Sequence, residues 1–171
     1  GIKKAYTEGF GMRPVLLHPE SRGQVTLRSN NPRDKVRIFQ NFFDSPNDLP
    51  ILRDGVKRIR DIISQPAMDT HRGAEIAPGA DCQTDDQIDE FIRKTAVTAH
   101  HPSCTCQMGA GEDCVLDSEL KVRGVENLRV IDASAMPDLV SGNINAAVLM
   151  IAEKGAAMVR GETPLPSAEA A

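Results

Sequence analysis

The chain has 171 residues, 40% of them hydrophobic and 26% charged, a balance that suits a folded domain with a real core and excludes general disorder. Its formal charge is -4, and basic residues alternate with acidic ones rather than forming a block, so no nucleic-acid partner is expected. No run of about 18 apolar residues occurs, so no transmembrane segment is expected.

With no tryptophan and 4% aromatics, the core has to be mainly aliphatic. The opening Gly1-Ile2-Lys3-Lys4 lacks the apolar stretch of a signal peptide, and a glycine start suggests a chain that begins mid-protein. Three of the cysteines crowd between Cys104 and Cys114, unlike the spread framework of a small secreted domain. Free thiols and a reducing, cytoplasmic setting are the expectation.

In chain order, residues 1–18 read as a loose entry followed by a short strand at Val15-Leu16-Leu17. Alternation of Val25 and Leu27 with Gln24, Thr26 and Arg28 predicts a half-buried strand, which Asn30-Asn31-Pro32 ends. Val36 to Phe43 is a second strand candidate, and the short polar loop makes an antiparallel pair the natural arrangement. From Asp48 to Ser64 the period becomes helical. Leu52, Val56, Ile59 and Ile63 form the apolar stripe, Pro50 sits in the first turn, and Arg53, Lys57, Arg58 and Arg60 form a face read as solvated surface.

Residues 65–83 read as irregular linker. Thr84-Asp85-Asp86-Gln87 is a capping box, followed by a helix to about Ala96 with Ile88, Phe91 and Ile92 buried. After a polar loop at Gly109 to Asp113 come two short extended runs, Leu120 to Arg123 and Leu128 to Ile131, joined through Gly124. Asn143 to Arg160 is predicted as the longest helix, with Val148, Ile151, Ala152, Gly155 and Val159 on one side. Gly161 closes it, and residues 163–171 read as a flexible tail.

Reactive side chains concentrate in T-A-H-H-P-S-C-T-C-Q-M-G, from Thr98 to Gly109. Histidine is the side chain best suited to proton exchange near neutral pH, and Pro102 restricts His101 to an extended backbone, so the ring can be aimed as a base. The bland alternative is a histidine that only hydrogen-bonds. A second polar knot, Ser141-Gly142-Asn143-Ile144-Asn145, opens the last helix. There Asn143 reads as an N-cap, or as part of a helix start that favours an anion. His101 with Cys104, Cys106 and Cys114 also raises a zinc-binding or thiol-based module, but Cys-x-Cys is tighter than the usual ligand spacing, and no metal site is assigned.

The tract H-P-S-C-T-C-Q-M-G, then V-L-D-S-E-L-K-V-R-G-V-E-N-L-R-V-I-D-A-S-A-M-P and S-G-N-I-N-A-A-V-L-M-I-A-E-K, resembles the C-terminal signature of the glucose-methanol-choline (GMC) oxidoreductase family. It lies nearest the choline dehydrogenase-like and alcohol oxidase-like bacterial members. Upstream, S-R-G-Q-V-T-L-R-S-N-N-P resembles the entry into that family's substrate-binding sheet, and the resemblance covers about residues 19–161.

The resemblance implies an α+β fold, a mostly antiparallel sheet with helices packed on it. Residues 1–125 would be the substrate-binding domain, and residues 126–162 a strand and helix returning to the FAD-binding domain. It implies His101 as the base that takes an alcohol proton while hydride passes to FAD, and Asn143 as the residue that holds the substrate oxygen. Asp132 and Ala133 would lie along the ribityl and pyrophosphate part of FAD, with Ile144 and Asn145 near its pyrimidine edge.

Cys104, Cys114 and Ala147 depart from the family pattern, and no G-x-G-x-x-G fingerprint occurs. The expected partners are therefore an N-terminal FAD-binding half of the same protein and a small-molecule alcohol. The fragment alone is expected to retain little FAD.

Overall fold

Alternation around Val25 and Ile38 does produce strands, over a shorter span than the pattern predicts. In the computed structural model, which describes residues 8–162, β1 (Gln24–Thr26) runs antiparallel to β2 (Arg37–Phe39), with Val25 opposite Ile38. The connecting loop closes on itself, because the Ser29 hydroxyl and the Asn31 carboxamide both donate to the Asp34 carboxylate. Asn41 and Phe43 take left-handed φ values of 49° and 63°, which ends the second strand before the predicted Phe43.

Val15-Leu16-Leu17 forms no strand. It lies between Pro14 and Pro19, which have no N–H for a ladder. The α+β class holds in coarse form, a small antiparallel sheet and three helices, with far less strand than a mostly antiparallel sheet. Residues 1–7 of the expected loose entry and the expected tail at 163–171 lie outside the described residues.

Backbone contacts divide the chain into two units, Gly1–Val97 and Thr98–Ala171. The first is organised by α1 (Asp48–Ser64) and α2 (Asp85–Thr95). Leu49 and Val56 of α1 meet Ile88 and Ile92 of α2 in one buried cluster, flanked by Leu52 and Phe91. The capping box forms as its spacing predicts. The Thr84 hydroxyl accepts from the Gln87 N–H, and the Gln87 carboxamide accepts from the Thr84 N–H.

The basic face of α1 is not plain solvated surface. Arg53 pairs with Asp89 at 3.0 Å and Asp85 at 3.6 Å, and Lys57 pairs with Asp85 at 2.6 Å, so cations on α1 meet anions on the first turns of α2. Arg60 pairs with Glu75 in the linker at 3.1 Å. Lys57–Asp85 is exposed and contributes little, whereas Arg53 and Asp89 are half-buried, their side chains 21% and 22% exposed.

Asp48, the first residue of α1, is 2% exposed. Its carboxylate accepts from the backbone N–H groups of Glu20 at 2.8 Å and Ser21 at 2.9 Å and from the Ser21 hydroxyl. Burial pushes its pKa up. The bonds from Ser21 and Glu20, with Arg22 nearby, reverse that and leave it below the usual carboxylate value near 3.8. An amide at this position accepts through one oxygen only, so D48N is expected to lower stability by about 2 kcal/mol at neutral pH. Because the folded pKa is depressed, this stabilisation is complete above the usual value and disappears as pH falls through the folded one. Denaturant midpoints of D48N and the parent chain should therefore converge in acid.

In the second unit, the core is Leu116, Leu120, Ala135, Met136 and Ile151. The two extended runs read around Val122 and Val130 do not become strands. They meet through a single bridge, Lys121 with Arg129, across a turn with left-handed Gly124 (φ 75°) and Asn127 (φ 58°), while Val122 of the first run bridges back to Leu116. Asp117 supports the preceding turn by accepting from the N–H groups of Glu119 at 2.8 Å and Lys121 at 2.9 Å.

The last helix, α3 (Asn145–Arg160), starts two residues later than predicted and ends at Gly161 with φ 68°. The Gly161 N–H and the Glu162 N–H bond back to Met158 and Ala157, a C-terminal arrangement that glycine adopts without strain. Ile151 and Gly155 are buried and Val148 and Ala152 half-buried, whereas Val159 is exposed. A Cβ on Gly155 would lie 2.4 Å from Cγ2 of Ile131. G155A improves helix propensity but overpacks this contact, a penalty of about 1–3 kcal/mol that outweighs the gain. Thermal unfolding should show a midpoint lower by roughly 3 °C.

Candidate active site

The site is built by a strand-like segment, 103–109, that is tied to the turn Ala133–Ala135. The N–H groups of Cys104, Cys106 and Met108 donate in succession to the carbonyls of Ala133, Ser134 and Ala135, at 3.2, 2.9 and 3.1 Å. The Gln107 carboxamide donates to the Pro137 carbonyl at 2.8 Å. Asp132 fixes the turn itself, its Oδ1 accepting from the Ser134 N–H at 2.7 Å and from the Ser134 hydroxyl. These bonds anchor the chain just after His101 to the chain just before Asn143.

The approach to the histidine is also fixed. His100 sits in the left-handed region at φ 62°, uncommon for a residue with a Cβ. The Thr98 hydroxyl accepts from the His100 N–H at 3.1 Å. At the far end, a Cβ on Gly109 would lie 2.6 Å from the Cys114 sulfur, so the closing glycine is required where that thiol packs.

His101 and Asn143 come together. His101 Nε2 lies 2.9 Å from Asn143 Oδ1, across 42 positions of sequence. The ring is half-buried and Asn143 is exposed. Nδ1 is shielded from solvent and makes no hydrogen bond. The Asn143 oxygen and, after it, the His100 backbone favour the charged ring and hold the His101 pKa above the usual imidazole value, while desolvation opposes them. The His100 backbone acts on the charge of the ring without meeting hydrogen-bond geometry.

Asn143 is not the N-cap of α3. Ile144 occupies that position with no side-chain cap. Ile144 packs against the buried cluster, which carries the helix start past Asn143 and leaves the Asn143 carboxamide for His101.

The other predicted residues sit nearby in sequence with different surroundings. Ala133 is half-buried against the same cluster, and its carbonyl receives the Cys104 N–H. Asp132 commits Oδ1 to Ser134. Asn145 is the first, exposed residue of α3. Because no side chain caps this helix, its first-turn N–H groups suit an acceptor-rich or anionic group such as the pyrimidine edge of a reduced flavin. The start of α3 therefore fits the anionic edge of such a cofactor.

The metal-module reading finds no support. Cys82, Cys104, Cys106 and Cys114 are free and half-buried, and among the described residues no three His, Cys, Asp or Glu side chains gather as a metal site. No helix of the described residues is long and apolar enough to cross a membrane. What the sequence reading missed is the backbone work of Thr98 and His100, for which a histidine at a left-handed position gives no compositional signal.

The profile of the GMC oxidoreductase family matches residues 19–152, and the chain belongs to that family. Members of this family are FAD-dependent oxidoreductases.

Among curated relatives, the oxygen-dependent choline dehydrogenase of Pseudomonas fluorescens (strain SBW25) is 48% identical over 170 residues, covering 99% of this chain and 30% of that protein. The oxygen-dependent choline dehydrogenase of Xanthomonas axonopodis pv. citri (strain 306) is 47% identical over 170 residues, 99% of this chain and 31% of its own length. Pyridoxine 4-oxidase from Mesorbium loti superposes with a TM-score of 0.80 at 34% identity, over 86% of this chain and 29% of that one. A fungal aryl-alcohol oxidase superposes at 0.75 and 32%, over 84% and 24%. The chain thus spans about 30% of the length of the curated relatives it matches.

Proposed function

We propose that this chain is the C-terminal part of an FAD-dependent oxidoreductase that converts a primary alcohol, choline or a choline-like compound, to the aldehyde. The observation that carries this reading is the 2.9 Å approach of His101 Nε2 to Asn143 Oδ1. The relatives whose names specify choline or an aryl alcohol support the substrate class.

In this reading an alcohol oxygen enters between the two side chains. Asn143 binds and orients it, and His101 takes the hydroxyl proton on Nε2. Bound FAD supplies the hydride acceptor. Asp132, Ala133, Ile144 and Asn145 would hold it, with the first turn of α3 favouring negative charge at the ring edge.

Residues 1–125 serve the substrate side, and residues 126–162 return to the FAD-binding domain. Leu149 and Met150 of α3 are each 58% exposed and Val159 is 61% exposed. That apolar surface suits burial against the N-terminal FAD-binding half, the partner this reading assigns.

The test is anaerobic mixing of the intact protein with choline and with simple primary alcohols. Bleaching of the oxidised flavin band with formation of the matching aldehyde is expected. No bleaching with any alcohol removes the reading. The 171-residue chain alone, purified after expression, should be colourless; tight stoichiometric flavin on it would contradict the assigned partner.

A further inference from the structure

Asn143 is carried at the end of an exposed span. Pro137, Asp138 and residues 140–143 all face solvent, and only beyond them does Ile144 return to the buried cluster. The bonds of Leu139 and Gly142 stay within the span. The Leu139 N–H donates to Asp138 Oδ1 and the Gly142 N–H to the Val140 carbonyl, each at 2.8 Å. Bonds this local shape the span without fixing where its start lies against the histidine segment. The placement of Asn143 therefore turns on how that start is held.

The last backbone rung from the histidine segment joins the Met108 N–H to the Ala135 carbonyl, two residues short of the span. Pro137 has no N–H to add another. A side chain makes the next tie: the Gln107 carboxamide donates to the Pro137 carbonyl at 2.8 Å, across 30 positions of sequence. A carbonyl oxygen can only accept, so the NH2 of the carboxamide is the group that must face it. Gln107 is a firm base for this bond. Its own carbonyl accepts the N–H of Leu116 at 3.1 Å, and Leu116 is fully buried.

We infer that Gln107 is a positioning residue for Asn143: its carboxamide pins the Pro137 carbonyl to the histidine segment and so sets the reach of residues 138–143 that brings the Asn143 carboxamide onto His101. The inference rests on the proposed role of Asn143 in holding the substrate oxygen, and adds a residue that acts through it. Gln107 is exposed, so its bond competes with water and adds little to global stability. Its effect lies in geometry, where a displacement of about 1 Å can cost on the order of 100-fold in rate.

The test uses the intact, flavin-loaded protein with choline as substrate. Q107M keeps the length of the side chain and removes the donor. It should lower the limiting rate of flavin reduction about tenfold, with the thermal midpoint little changed. Q107K returns a donor that can reach the carbonyl and should recover most of the rate. In an N143A background Q107M should cost nothing further, because the group it positions is gone. A crystal structure of Q107M should show the Asn143 carboxamide displaced from His101 Nε2, in place of the 2.9 Å contact.

A Q107M crystal structure in which that contact keeps its length overturns the inference. Where N143A is slow, it is overturned as well by a Q107M rate within about twofold of the parent, by a Q107K variant as slow as Q107M, or by an equal loss from Q107M with and without Asn143. Failure of the underlying reading looks different. A parent-like rate in N143A, together with a broken His101–Asn143 contact in Q107M, upholds Gln107 as positioning that carboxamide and removes Asn143 from the chemistry.

Discussion

Replacing His101 with alanine in the intact protein is expected to slow flavin reduction by an alcohol roughly 1000-fold. Among the described residues of the second unit, neither the neighbouring histidine nor a cysteine is placed to take its role. His100 is exposed, on a backbone turned at φ 62°, and the cysteine thiols pack half-buried on the Leu116 cluster or against Gly109. The loss should fall on the limiting rate rather than on KM, because a proton acceptor acts in the transition state more than in substrate binding. Stopped-flow bleaching of the flavin under anaerobic conditions measures it, and near-normal reduction would remove His101 from the base role.

Replacing Asn143 with alanine is the second large effect, about 100-fold on flavin reduction, with a signature in pH as well as in magnitude. A base works in its neutral form, so the rate should rise with pH through the His101 pKa. Asn143 is the first cause holding that pKa above the usual imidazole value. Without it the pKa falls, and the midpoint of the pH–rate profile should move to lower pH even as the plateau drops. H101A and N143A should also be far from additive, since both act on the same substrate oxygen. A full multiplicative loss in the double variant would mean that the two side chains serve separate ends.

Local signals carried the first unit well. The capping box at Thr84 and Gln87 and the stripes at Val56, Ile88 and Ile92 define α1 and α2, because each depends on spacing within one turn or one helix. Gly161 closes α3 for the same reason. The sheet was less legible. Val25 and Ile38 pair as their alternation suggests, but alternation says nothing of how far a ladder runs, and the left-handed Asn41 and Phe43 end it. The pairing of Arg53 and Lys57 with Asp85 and Asp89 was invisible too, since it depends on how two helices cross.

At the site, sequence singled out His101 and Asn143 as chemistry-bearing residues, and a resemblance joined them. Their contact follows from three successive bonds between the histidine segment and the Ala133–Ala135 turn, which no spacing rule reveals. Asn143 looked like a helix cap because asparagine favours that position. Burial of Ile144 moved the helix start and left the carboxamide to the imidazole.

A crystal structure of the flavin-loaded protein with an unreactive choline analogue bound addresses the pairing at its root. The analogue's oxygen, or its nearest substitute, should lie within hydrogen-bonding distance of both His101 Nε2 and the Asn143 carboxamide, on one side of the flavin ring. An analogue seated with that oxygen against other residues, and His101 and Asn143 turned away from the flavin, would contradict it.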